Sequence, residues 1–290
     1  MSLIELKDVS VIYGLGTPHE VKALSGISFS IEGEGFVGII GPTGSGKSTL
    51  IQLMNGLLKP EQGQVLIEGT DLSGLKGPGL KQIRRKVGLV FQYPENQVFE
   101  ETVSREIAYG PRNLGLDKRE IEARVHKAMD FVGLDYEEYK ERSPFALSGG
   151  QMRRVAIAGI LAMEPQVLIL DEPTAGMDPQ GRRDILDRIA AIQKEMSMTV
   201  ILVSHNMEDI ARLADKVLVL NEGQLVLEGT PREIFSQREK IRSLRLEIPA
   251  ITRLMYRLAD CGAPLHTDIF TEQDARDELL KHLKKGAENA

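Results

Sequence analysis

A single cysteine, Cys261, is the whole thiol content of this 290-residue chain, so no internal disulfide framework exists and a reducing compartment is expected. One such thiol reads as buried or incidental rather than as a nucleophile. No apolar run approaches the roughly 20 residues of a membrane-spanning helix, so any membrane role is expected to come through a partner. The opening residues, Met1-Ser2-Leu3-Ile4-Glu5-Leu6-Lys7-Asp8, lack the basic stretch and long apolar core of a secretory signal, and a cytosolic location is expected. Positive charge is in deficit: 36 Lys and Arg stand against 42 Asp and Glu, a formal net charge of −6. That balance argues against a protein whose main work is holding nucleic acid. Internal repeats and low-complexity tracts are missing too. What is present is 42% hydrophobic residues, enough for a real core, in a chain of 290 residues, long enough for one large domain or two smaller ones.

The informative stretch is Gly41-Pro42-Thr43-Gly44-Ser45-Gly46-Lys47-Ser48-Thr49. It follows an apolar run, Phe36–Ile40, with the character of a buried strand, and precedes Leu50–Leu57, whose apolar spacing suits a helix. Strand, glycine-rich loop and helix form the context in which the G-x-x-x-x-G-K-[ST] pattern carries a mechanism. Glycines let backbone N–H groups turn toward phosphate oxygens, and the helix N-terminus adds partial positive charge. Lys47 is placed to reach the β- and γ-phosphates and Ser48 to bind Mg²⁺.

Ahead of that loop, residues 3–13 alternate as a strand and Val21–Ile31 reads as its hairpin partner, an antiparallel β-rich patch. Tyr13, near the end of this patch, is either a half-buried strand residue or a platform for a purine. Beyond the loop come a short strand at Gln64–Ile67, a basic helix over 79–86 and a buried strand, Val87–Phe91, followed directly by Gln92. That glutamine either reaches a metal or an attacking water, or is an ordinary polar loop residue. From about 94 to 162 the strands give way to amphipathic helices, including 102–110 and Lys118–Val132, the latter with Ile121, Val125, Met129 and Val132 on one stripe. This helical insertion ends in Leu147-Ser148-Gly149-Gly150-Gln151, which leads into a helix over Met152–Met163. Read structurally, Ser148 is an N-cap and the glycines a loop; read functionally, the segment is a second anion site.

Val167-Leu168-Ile169-Leu170 is fully apolar and is tipped by Asp171 and Glu172. A strand of this kind is buried on both faces, as in a parallel sheet. Asp171 at its end is placed to hold Mg²⁺, and Glu172 to orient and deprotonate water. Asp178-Pro179 starts a helix, Asp as N-cap and Pro in the first turn. Thr199–Ser204 is another buried strand ending at His205, a candidate γ-phosphate contact. Lys216–Leu220 and Gln224–Glu228 form a hairpin about a three-residue turn, Asn221-Glu222-Gly223, and Gly229-Thr230-Pro231 opens a helix. Past Phe235 the chain becomes charge-dense over 237–247. Pro249 then starts a helix with Ile251, Leu254, Met255 and Leu258 on its stripe, and Thr271–Asp274 caps a last helix carrying Leu279, Leu280 and Leu283. Residues 236–290 are expected to be a small helical extension, either docked on the main domain or contacting a partner.

The phosphate loop, Gln92, Leu147–Gln151, Asp171-Glu172 and His205, in this order and spacing, resemble the ATP-binding subunit of ABC transporters over roughly residues 1–235. The stretches Phe91–Glu100 and Ala108–Leu114, with the C-terminal extension, are similar to the ATPases of energy-coupling factor (ECF) transporters, and Glu172–Asp178 is similar to the second of their two paralogous ATPases. The resemblance implies an α/β fold with a RecA-like core, an antiparallel β subdomain, a helical subdomain at about 94–162 and the extension at 236–290. It implies ATP and Mg²⁺ as ligands. Tyr13 would stack on adenine, loop 41–49 would wrap the phosphates, and Ser48, Gln92 and Asp171 would hold the metal. Glu172 would be the general base and His205 would fix the γ-phosphate. Ser148, Gly149, Gly150 and Gln151 would act in trans on ATP held by a second ATPase subunit, with Asp178 at the seam. The implied partners are that second subunit, homologous or identical, a transmembrane coupling subunit and a substrate-binding membrane subunit, with no nucleic acid. The implied place is the cytoplasmic face of the membrane, and the implied activity is ATP hydrolysis driving import of vitamins or transition-metal ions. Glu95, Glu100, Glu101 and Glu106 cluster after Gln92; they are either receptors for an arginine of the coupling subunit or a solvated acidic helix start. Two other classes of function are compatible with parts of the pattern: a soluble, non-transport ABC ATPase and a regulatory subunit that switches shape without turnover.

Overall fold

The computed structural model describes residues 2–288, and side chains as far as residue 282, so the side chain of Leu283 lies outside the described residues. In chain order the elements begin with strands β1 (Ile4–Tyr13), β2 (Val21–Ile31) and β3 (Gly35–Ile40), then helix α1 (Lys47–Met54). Strands β4 (Gln62–Ile67) and β5 (Thr70–Asp71), helix α2 (Pro78–Lys86) and strand β6 (Val87–Val90) follow. The helical stretch contains α3 (Val103–Asn113), α4 (Lys118–Val132), α5 (Tyr136–Tyr139) and α6 (Gly149–Leu161). Next come β7 (Val167–Asp171), α7 (Pro179–Met196), β8 (Thr199–Val203), α8 (Met207–Leu213), β9 (Lys216–Asn221) and β10 (Gln224–Gly229). The chain closes with α9 (Pro231–Phe235), α10 (Arg238–Ser243), α11 (Ala250–Asp260) and α12 (Glu272–Glu288). Two compact units result: Met1–Gly35 with Ser48–Val203, and Phe36–Lys47 with Ser204–Ala290.

In the first unit β1 pairs antiparallel with both β2 and β4, Ile4 standing opposite Ile31 and Ile67, and β5 closes the order β2-β1-β4-β5. Alternation along these strands buries Ile4, Leu6, Ile27, Phe29, Val65 and Ile67, as a sheet with one covered face requires. A second group, β8-β7-β6, is parallel, with Leu168 opposite both Gly88 and Val200. Every residue of β7 and β8 is buried; the four consecutive apolar residues in each, Val167–Leu170 and Val200–Val203, are what a strand covered on both faces demands. Helices α3, α4 and α6 pack on one another. Asp117 caps α4 by accepting from the Arg119 and Glu120 N–H groups, and Gly133, at φ 70°, ends it. The expected stripe of α4 is largely buried: Val125, Met129 and Val132 are inside with Ala128, while Ile121 is half-buried. Helix α6 starts at Gly149, three residues before its expected start, so the two glycines are its first turn and not a loop.

In the second unit β3 and β9 are parallel, Ile40 opposite Val219, and β10 returns antiparallel beside β9. The β9–β10 turn is tighter than expected. Asn221 pairs with Gln224, leaving only Glu222 and Gly223, both at positive φ (49° and 74°), as turn residues. Positive φ at both positions is the type I′ turn, whose twist matches that of the strands it joins. Thr230 and Glu233 form a capping box on α9. The extension is docked: the Phe270 ring lies 6.2 Å from that of the buried Phe235, and the Ala250 N–H donates to Glu208 on α8. Met255, Ile269 and Ala275 form a small core with Ile251, Leu258 and Leu279 packed against it. Leu254 and Leu280, expected on the apolar stripes, instead face outward at 45% and 43% exposure.

Candidate nucleotide-binding and hydrolysis site

The phosphate loop bridges the turn from β3 into α1. Gly41 sits where the loop backbone crosses the end of β9: a Cβ there would drive into the Leu220 carbonyl oxygen and stand 2.6 Å from Ser45 Oγ. The β9–β10 turn braces the same place, since the Gly223 N–H donates to the Ser45 carbonyl at 3.2 Å. The tight I′ turn is therefore part of what shapes the loop. Lys47 is buried, and its Nζ donates to the Gly41 and Pro42 carbonyls at 2.8 and 2.9 Å. Ser45 is also inside, its hydroxyl unpartnered among the described residues. Thr43 and Gly44 form the exposed rim. Gly41→Ala is expected to displace the loop and weaken nucleotide binding at least tenfold; a titration with a fluorescent ATP analogue reads this directly, and unchanged affinity would mean the loop tolerates the shift.

In the other unit, α1 carries Ser48 and Thr49. Ser48 Oγ donates to Asp171 Oδ2 at 3.4 Å, and the Tyr13 hydroxyl lies 3.2 Å from Thr49 Oγ1. The Tyr13 ring itself is 43% exposed. Because β6 and β7 run parallel in register, Val90 opposite Leu170, the residues just beyond them emerge at one edge. Gln92 Nε2 accordingly reaches Glu172 Oε2 at 3.4 Å. Asp171 is the buried tip of β7, and the Glu172 N–H continues the ladder to the Val203 carbonyl at 2.9 Å. Glu172 holds a left-handed backbone, φ 49°, a conformation that costs a non-glycine residue about 1–3 kcal/mol and clusters at functional sites. His205, in the second unit, is exposed just after β8.

Ser148 caps α6, accepting from the Gln151 N–H, while Gln151 Oε1 accepts from the Ser148 N–H and hydroxyl at 3.0 and 3.1 Å. Gln151 Nε2 donates to the Tyr139 hydroxyl at 3.1 Å. Gly149 and Gly150 face open space. Asp178 caps α7 through the Gln180 and Gly181 N–H groups.

The sequence reading missed Arg153. It is 4% exposed on α6 and grips Glu95 with two bonds, Nε to Oε2 at 3.0 Å and Nη2 to Oε1 at 2.7 Å. Its Nη1 donates to the Pro173 and Ala175 carbonyls at 3.2 and 2.8 Å. The available signal was an arginine on the buried stripe of a helix, i and i+4 from Ile157. Burial alone would raise the Glu95 carboxyl, but the hydrogen bonds and charge of Arg153 outweigh it and hold it below the usual carboxylate range. The rest of the acidic cluster is engaged within the chain as well. Glu106 accepts from the Phe99 and Glu100 N–H groups, Glu101 pairs with Arg105 at 2.5 Å, and Glu100 lies 3.9 Å from Arg112. Glu95 is thus not a free receptor for an outside arginine.

A phosphate loop leading into a helix, with carboxylates at the tip of a buried parallel strand, defines a phosphate-loop nucleoside triphosphatase. A family model described as ABC transporter matches residues 24–175. The "Energy-coupling factor transporter ATP-binding protein EcfA2" of Caldanaerobacter subterraneus is 54% identical, over 97% of this chain and 98% of that protein. The protein of the same description in Clostridium tetani is 50% identical over 99% of both. Among solved structures, cbiO1 of Clostridium perfringens, described as part of the ABC transporter complex cbiONQ, matches with a TM-score of 0.75 and 38% identity over 88% of this chain and 99% of that one. The dimeric cassette MJ0796, bound to ADP and Pi in a post-hydrolysis state, matches at 0.71 and 29% identity over 79% of this chain and 98% of its own. The chain belongs to the ABC ATPases and, within them, to the energy-coupling factor transporter ATP-binding proteins.

Proposed function

We propose that this chain hydrolyses ATP to drive an ECF-type importer, as one of two ATPase subunits on the cytoplasmic face of a membrane coupling subunit. The observation that carries the reading is the edge beyond β6 and β7, where Ser48 bonds Asp171 and Gln92 bonds Glu172. The loop Gly41–Gly46 and Lys47 bind the triphosphate, with Lys47 exchanging its carbonyl partners for phosphate oxygens. The donor set fits magnesium, a hard cation that takes oxygen ligands and usually keeps one or two protein ligands alongside phosphates and waters. Ser48 hydroxyl, Asp171 carboxylate and Gln92 amide are such donors. When bound, the ion neutralises charge on the β- and γ-phosphates. Glu172 takes the proton of the attacking water, His205 fixes the γ-phosphate, and Tyr13 offers its exposed ring to adenine. Ser148, Gly149, Gly150 and Gln151 point the N-terminus of α6 at ATP held by the partner subunit, with Asp178 at the seam.

We take residues 1–235 as the ATP-binding domain, 94–162 as its helical subdomain and 236–290 as the extension. Among the described residues no helix is long and apolar enough to cross a membrane, and the proposed coupling runs through a docked partner. The helical stretch offers a largely apolar groove of about 340 Å³, with Leu89, Pro94, Phe99, Tyr109 and Met163 in its walls. Phe99 and Tyr109 meet edge to face at 4.9 Å, and Glu106 is the one glutamate of the cluster in the lining. Lys81, Arg84 and Arg85 also line it, and Glu106 is already bonded to the Phe99 and Glu100 N–H groups, so the groove suits the apolar face of a coupling-subunit helix. The test is a pull-down of tagged chain from detergent-solubilised membranes with mass spectrometry. Recovery of a second ATPase, a multi-span coupling protein and small membrane subunits is expected. Recovery of ribosomal or DNA-repair proteins alone would overturn the transport role.

A further inference from the structure

The extension holds a cleft that ATP hydrolysis does not use. Helix α10 presents Arg238 and Arg242 one turn apart, and the connection to α11 adds Arg245. Helix α11 presents Arg253 and Arg257, again one turn apart. These five guanidinium groups line one concavity of about 470 Å³, within the range of small-molecule sites. The lining has two carboxylates, Glu247 and Asp260, and Glu247 is committed to Arg253 at 3.2 Å. Glu239 and Lys240, from the same charge-dense run, are not in the lining. Positive charge is therefore gathered on one side of a chain whose formal net charge is −6. A solvated charged face intersperses signs, whereas rows of like charge at i,i+4 repel.

The backbone shows the same concentration. Arg245 occupies the left-handed position after α10, φ 58°. The Leu246 N–H returns to the Ile241 carbonyl and the Arg245 N–H to that of Arg242, which is a Schellman cap. Glycine normally takes that position, and here an arginine sits in it and lines the cleft. Arg238 is held by its guanidinium 5.0 Å from the Tyr256 ring centroid. Arg242, Arg245 and Arg257 form no ion pair or side-chain hydrogen bond among the described residues.

We propose that this cleft binds a polyphosphate group, free or carried on a larger molecule, separately from ATP in the phosphate loop. Each guanidinium is a planar fork that takes phosphate oxygens in pairs. Three unengaged forks, Arg242, Arg245 and Arg257, with Arg238 and Arg253 beside them in one cavity, match several linked phosphoryl groups better than a single one. The Tyr256 ring already carries Arg238 on one face, so recognition runs through the phosphates rather than through a stacked base.

The test uses the full chain carrying Lys47→Ala, to silence the phosphate loop. Calorimetric titration with inorganic tripolyphosphate should show saturable, salt-sensitive binding, weakened at least tenfold by Arg242→Gln with Arg257→Gln at an unchanged melting temperature. Co-sedimentation with phosphatidylglycerol vesicles separates the sources. Binding of tripolyphosphate alone supports a soluble ligand, and arginine-dependent binding of both probes supports a polyphosphate carried at a membrane surface. Vesicle binding without tripolyphosphate binding overturns the proposal, since each phosphatidylglycerol carries a single phosphodiester. The proposal is overturned if neither probe binds, or if both bind equally well to the double variant. It is also overturned if the double variant loses its partner ATPase while binding tripolyphosphate as before, because the arginines would then serve subunit pairing.

Discussion

Changing Glu172 to Gln is expected to cut ATP turnover steeply and to leave ATP binding in place. The amide has the shape of the carboxylate, so the left-handed backbone at φ 49° and the N–H bond to the Val203 carbonyl both persist. Gln92 still finds an oxygen to bond, as it does now at 3.4 Å. What disappears is basicity: an amide does not accept the proton of water. Positioned general bases contribute roughly 10²–10⁴-fold to rate, and a loss of that size is expected in kcat with ATP affinity little changed, because the proton transfer belongs to the transition state. Phosphate release and titration with a fluorescent ATP analogue measure the two separately. Substrate that is bound and not cleaved should also hold paired subunits together, visible as dimer in size-exclusion chromatography with ATP. Turnover near the parent rate would remove Glu172 from the mechanism and favour a nucleotide-switched role without hydrolysis.

What the sequence made legible is what local chemistry dictates. The phosphate loop announces itself through the glycines and lysine of 41–47 set between a strand-like apolar run and a helical one; that a Cβ at 41 would meet the Leu220 backbone is visible only in the fold. Strand β7 announces itself because a wholly apolar run tipped by two acids has few other places to go. The caps at Ser148, Asp178 and Thr230 follow from short polar side chains preceding helices. The errors arise where long-range contacts decide. The β9–β10 turn has two residues and not three because strand pairing, set by register along the whole hairpin, claims Asn221. Leu254 lies on the apolar arc of α11 by periodicity, yet the small core against which that helix packs covers only Ile251, Met255 and Leu258. The acidic cluster after Gln92 reads locally either as a receptor for an arginine of the coupling subunit or as a solvated helix start, because nothing local shows that Glu95 meets an arginine 58 residues away in the same chain.

That pairing makes Arg153 a position where truncation is expected to cost several kcal/mol of stability. One guanidinium joins three segments: Glu95, just past Gln92; Pro173 and Ala175, just past Glu172; and α6 itself, whose first turn is Gly149–Gln151. Arg153→Ala leaves a carboxylate that is only 19% exposed without its partner and takes a donor from each of two carbonyls. Breaking one side of a buried pair costs about 3–5 kcal/mol, a fall in melting temperature on the order of 10 °C for a chain of this size. Arg153→Lys keeps the charge but not the fork, and should recover only part of the loss. The sign of the pH effect follows from Glu95, whose carboxyl is held below its ordinary range. A depressed carboxylate contributes stability that is complete above its unfolded-state pKa and is lost as pH falls through the folded-state value. The gap between parent and Arg153→Ala should therefore be widest at neutral pH and close as the solution is acidified below the ordinary carboxylate range. Glu95→Leu with Arg153→Met separates structure from function, since replacing both charges with apolar groups can be neutral for stability. If the guanidinium also keeps Gln92 and Glu172 in step, the double variant melts near the parent temperature but turns over ATP at least tenfold more slowly. A double variant that is both stable and fully active would confine Arg153 to holding the fold.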